Sequence, residues 1–108
     1  MRAKPPALGY LRKDVSGVSQ TWDEAQLQSL AKRLGYELSK TVTFGAATDE
    51  PVGRLIDVVR TCAVEAVISP GLHHFDGAVP EELVEVCDLI TVTPQQTFSR
   101  TVLKKLWA

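Results

Sequence analysis

Nothing in this sequence approaches the ~18 consecutive apolar residues of a membrane span, so no membrane partner is expected. The opening "MRAKPP" lacks the apolar stretch of a secretory signal. Cysteine is scarce: only Cys62 and Cys87 occur, with no CxxC and no Cys/His spacing, so neither a zinc framework nor a disulfide scaffold can be built. Both fall among apolar positions and read as buried reduced thiols, which points to the cytoplasm. Phosphate-binding glycine loops are missing too. After the first apolar run comes "DVSGVSQTWDE", with one glycine and no Lys-Ser/Thr, so neither GxGxxG nor a Walker A loop is present. A formal net charge of −1 argues against a dedicated nucleic-acid-binding domain and leaves DNA contact at most weak. No acidic residue follows Asp88, while Arg100, Lys104 and Lys105 make the tail positive.

What remains is a chain of 108 residues, enough for a single domain spanning 1–108 with its own core. "ALGYLRK" (7–13) reads as a strand and "DVSGVSQT" as a loop. A helix follows, with Thr21 as its cap and Glu24 completing a capping box. Trp22, Leu27, Leu30, Ala31 and Leu34 form its apolar stripe, and Gly35 ends it. "YELSKTVTF" (36–44) holds a second strand. Pro51 opens a second helix, with Val52, Leu55, Ile56, Val59 and Cys62 on one face. "EAVIS" (65–69) is an unbroken apolar strand, suited to cover on both faces. "VPEELVEVCD" reads as a third helix and "LITVTP" (89–94) as a fourth strand. In "QQTFSRTVLKKLWA", Phe98, Val102 and Leu106 recur every four residues and Trp107 adds an apolar group. That spacing predicts a short C-terminal helix (95–108), packed on its own sheet or paired with a second copy.

Alternating strands and helices predict an α/β three-layer sandwich with a four-stranded parallel sheet. If strand 1 lies between strands 2 and 3, the order is 2-1-3-4, and the loops after strands 1 and 3 meet at the topological switch point. Those loops are "DVSG" and "GLHHFDG", so the candidate crevice comprises Tyr10, Arg12, Asp14, Ser16, His73, His74 and Asp76. Asp14, His73, His74 and Asp76 are competent metal-ligand types. Adjacent residues on extended chain point apart, however, so the two histidines make a weak metal pair and only His73, His74 and Asp76 stand as candidates. Arg12 and Lys13 with backbone amides offer a weak anion site. Ser16 or Ser19 beside a histidine would offer a nucleophile and base, though serines are ordinary loop residues. The plain alternative is a loop with one histidine hydrogen-bonded and the other exposed.

"ALGYLRKDVSG", then "AQLQSLAKRLGYEL", then "EAVISPGLHHFDG" resembles, in order and spacing over residues 6–94, the catalytic domain of the serine recombinases, the resolvases and invertases. That family opens on a strand of the form Tyr-x-Arg-x-Ser, and its third strand runs into Leu-Asp-Arg-Leu-x-Arg. Tyr10 and Arg12 match the opening, but Asp14 stands at the position of the nucleophilic serine. Glu50 falls where the second helix would bring an arginine. Leu72 and Phe75 match the apolar positions of the third motif. His73 and His74 replace its acidic and basic residues, Asp76 takes the variable position, and Gly77 replaces the last arginine.

The resemblance implies chemistry in which a serine attacks a DNA phosphodiester while arginines steady the pentacoordinate phosphate. Carboxylates at the serine and arginine positions would repel that phosphate. The family's long dimer-forming helix and DNA-binding domain have no counterpart in these residues. The expectation is therefore a catalytically inactive recombinase-like domain without cofactor, acting as a protein-interaction or regulatory module, with self-association and a link to DNA transactions as options. A small ligand- or metal-binding protein using the crevice is the first alternative; a divergent phosphoryl-transfer or hydrolytic enzyme is the second. Phe98, Val102, Leu106 and Trp107 are the candidate interface.

Overall fold

The computed structural model describes residues 4–100. Seven residues of strand β1 (Pro6–Arg12) form its axis: β2 (Glu37–Phe44) pairs in parallel on one side and β3 (Ala66–Ser69) on the other. Next comes β4 (Asp88–Thr91), parallel to β3, so the four strands stand in the expected order 2-1-3-4.

A fifth strand, β5 (Gln96–Phe98), extends the sheet antiparallel to β4, pairing Leu89 with Phe98 and Thr91 with Gln96. The sheet is therefore mixed and five-stranded, and the C-terminal helix is not what residues 96–98 form. A tight reversal at 92–95, where Thr91 Oγ1 donates to the Pro94 carbonyl at 2.7 Å, returns the chain as a hairpin instead. The helical spacing had only three apolar residues behind it, and Val102, Leu106 and Trp107 lie outside the described residues. Phe98, half-buried, packs against the core.

Strand alternation divides the core into two layers. Ala7 and Leu11 of β1, with Ala66, Ile68 and Ile90, face helix α2 (Gln20–Leu34) through Leu27, Leu30 and Ala31. Leu8 and Tyr10, with Val67 and Leu89, face α3 (Pro51–Cys62) and α4 (Glu81–Val84) through Leu55, Val59, Leu83 and Val84. Successive side chains of a strand point to opposite faces, which makes this the expected three-layer sandwich. Gly9 lets α2 sit close: a Cβ there would lie 2.7 Å from Thr41 Oγ1 and 3.0 Å from Leu27 Cδ1.

Three local readings change. β1 passes directly into a one-turn helix α1 (Lys13–Ser16) and a 3-10 turn (Gly17–Ser19), which run on into α2, so "DVSGVSQT" is largely helical. Thr21 consequently lies inside α2 and no capping box forms; Gln20 donates to Glu24 at 3.0 Å, one turn on. The third helix has a single turn, since its last amides, Val86 and Cys87, both bond back to the Leu83 carbonyl before β4 begins. Of the two free thiols, Cys87 is buried, its pKa pushed up to about 12 by burial, while Cys62 is only half-buried.

Candidate functional site

The C-terminal ends of β1 and β3 bring the two predicted loops together. From β1 the chain delivers Tyr10 and Arg12 on one face; α1 follows with Asp14 and Ser16. From β3, Pro70-Gly71 leads into a 3-10 turn (Leu72–Phe75) that carries both histidines. Gly71 permits this descent: a Cβ at that position would lie 2.7 Å from the His73 ring and 3.0 Å from the Thr93 carbonyl oxygen. Asp76 then adopts a left-handed conformation (φ 59°), which aspartate tolerates better than most side chains.

Arg12 is the centre of the arrangement. Its Nη2 and Nε donate to the two oxygens of Asp14, at 2.7 and 3.3 Å, and its Nη1 donates to Asp76 at 2.8 Å. The pair with Asp14 is two-pronged, the geometry that a guanidinium fork and a carboxylate favour. Hydrogen bonds from Arg12 hold the Asp14 carboxyl below its usual range, and those same carboxylates raise Arg12 further. One guanidinium thus faces two carboxylates, and the cluster carries excess negative charge.

His74 occupies the floor. Buried at 1% exposure, it accepts the Arg12 backbone N–H through Nδ1 at 3.0 Å, which ties the end of β1 to the loop after β3. Accepting at Nδ1 leaves the proton of the neutral ring on Nε2, a buried nitrogen with no partner among the described residues. Burial, with the adjacent His73, pushes its pKa down to about 4. His73 is exposed and meets the His74 ring edge-on, centroids 4.6 Å apart. Because the loop is a 3-10 turn rather than extended chain, the two imidazoles sit side by side instead of pointing apart. They still form no ligand set: Nδ1 of His74 is engaged, Asp76 is turned to Arg12, and no cluster of three ligand-type side chains occurs among the described residues.

Tyr10 belongs to the core. It is fully buried, stacked on Phe75 with centroids 4.7 Å apart and edge-on to Phe44 at 6.0 Å. Burial raises its phenol to about 12. Ser16 is buried as well, and its Oγ donates to Asp23 at 2.7 Å rather than meeting a base. Asp23 escaped the sequence reading because 14–21 was taken as a loop; on a helical path, residues seven apart share a face. Glu50 stands exposed in a left-handed turn ahead of α3.

Four parallel strands in the order 2-1-3-4, an antiparallel fifth, and helices on both faces make a fold shared with a serine-recombinase catalytic domain. The C-terminal catalytic domain of ISC1926 TnpA, an IS607-like serine recombinase, superposes with a TM-score of 0.64, over 94% of this chain and 77% of that one, at 13% identity. At that identity the likeness is one of fold. No protein-family model matches the sequence, and no curated protein does. No helix among the described residues is long and apolar enough to cross a membrane.

Proposed function

We propose that this is a recombinase-fold domain that does not perform strand exchange and that acts through protein contacts, self-association among them. The arrangement around Arg12 carries the reading. The one cation that matches the resembled active site spends its donors on Asp14 and Asp76, at 2.7 and 2.8 Å, and Asp14 itself stands in place of the nucleophile. A phosphodiester entering here would meet two carboxylates for one guanidinium, the reverse of a site that stabilises a developing phosphorane. Ser16, on α1 after β1, is buried and donates to the Asp23 carboxylate. A regulatory or accessory role in DNA transactions is what the fold suggests for such a module.

The test is incubation of purified protein with supercoiled plasmid, with protein–DNA adducts scored after denaturation. Neither cleavage nor a covalent adduct is expected, and a phosphoserine–DNA linkage would overturn the reading. In the same preparation DNA affinity should fall with salt at a log–log slope of about −3, for the roughly three phosphates a small basic tail can contact.

A further inference from the structure

Two of the exposed large apolar side chains sit on one lobe. Val18, in the 3-10 turn, is fully exposed, and Trp22, four residues later in the first turn of α2, is 66% exposed. The sequence had placed Trp22 on the buried stripe of α2; the helical run-in from β1 turns it outward instead. The lobe is acidic: Asp14, Asp23, Glu24 and the neighbouring Asp76 outnumber Arg12 and Lys13. An exposed tryptophan beside an aliphatic group, rimmed by polar residues, has the make-up of an interface anchor.

The opposite charge leaves from the other end of the sheet. Asp88 opens β4 in register with Ala66, and Ala66 with Ala7, near the start of β1. There Asp88 Oδ1 accepts the Arg100 N–H at 2.7 Å. Because β5 runs antiparallel to β4, the chain travels away from the lobe as it passes Phe98. Residues 100–108 bring Arg100, Lys104 and Lys105, with Val102, Leu103, Leu106 and Trp107, and no acid. To reach its own lobe, the eight residues after Arg100 would have to reverse and climb from the level of Ala7 to that of Arg12. That climb alone is about 17 Å of the ~27 Å they span fully extended. A second copy can present the same residues without that constraint.

We propose that the Val18–Trp22 lobe of one copy receives segment 100–108 of a second, and that two such contacts, exchanged reciprocally, close a two-fold dimer. The proposal rests on the reading that the domain acts through self-association, and it names the surfaces. Lobe-on-lobe pairing is disfavoured because it would oppose like charges.

Sedimentation of the full chain decides it, beside two variants: Trp22→Ala, and the double reversal Lys104→Glu with Lys105→Glu. The expected result is a wild-type dimer that weakens as salt rises, with each variant raising the dissociation constant by about tenfold or more. Trp22→Ala should leave the circular dichroism spectrum unchanged; if it does not, Val18→Asp at the fully exposed position replaces it. A monomeric wild type, or a dimer indifferent to the lobe variants, overturns the proposal. A dimer broken by Trp22→Ala but not by the charge reversal overturns the assigned occupant. Plasmid cleavage is scored separately, so failure here is distinguishable from failure of the non-catalytic reading.

Discussion

Acidifying the protein from pH 7 to pH 4.5 is expected to remove about 2 kcal/mol of its stability, and His74 is the cause. In the fold its pKa is depressed to about 4, first by burial and then by the neighbouring His73, with Asp23 opposing. In the unfolded chain it titrates near 6.5. Between those values the unfolded state holds a proton that the folded state refuses, so stability rises with pH across the window and is flat above it. Protonation in place would also destroy the acceptor for the Arg12 N–H, the bond joining β1 to the loop after β3. Urea unfolding at half-unit steps from pH 7.5 to 4.5 measures the slope. His74→Asn, whose amide oxygen can stand where Nδ1 accepts, should abolish most of it. A flat profile in the wild type, or an equal slope in the variant, would refute the assignment.

The same residue shows how far a sequence carries. Strand order and the meeting of two loops followed from alternating patterns, because parallel strands covered on both faces leave unbroken apolar runs such as "AVIS". The convergence of Arg12, Asp14, His74 and Asp76 followed from the switch-point geometry alone. Their roles did not. Whether His74 is a ligand or a buried acceptor depends on a 3-10 turn and a left-handed Asp76, and local sequence specifies these weakly. Ser16 was read as a loop serine because "DVSGVSQT" is rich in Ser and Gly; in the fold Gly17, at φ 53°, joins two short helical turns. β5 was missed because three strand residues are outweighed by an apolar spacing that continues past them. Pairing with β4 is a tertiary fact that no local window contains.

Arg12 places three of its five N–H donors on its own chain, through Nε, Nη1 and Nη2. What the cluster does accomplish is closure, since it bridges α1 to the loop after β3 across the end of the sheet. At the crevice that topology opens, Arg12, Asp14 and Asp76 bond to one another.

Tyr10 provides the sharpest measurement of that conclusion. It sits two residues before Arg12 in the motif that marks the crevice, so a role in ligand contact and a role in packing are both readable from the sequence. The structure places it at 0% exposure between Phe75 and Phe44, with its hydroxyl unpaired among the described residues. Removing the ring leaves a cavity at the junction of β1, β2 and the loop after β3. Tyr10→Ala should therefore cost about 3–5 kcal/mol, a large fraction of the stability of a domain this size. Tyr10→Phe should behave oppositely. It retains the stacking and deletes a buried hydroxyl that gains nothing from its surroundings, so stability should hold or rise by about 1 kcal/mol. Chemical denaturation of both variants gives the comparison directly. A Tyr10→Phe protein destabilised by more than about 1 kcal/mol would show that the hydroxyl is bonded, and Tyr10 would return to the crevice as a polar group.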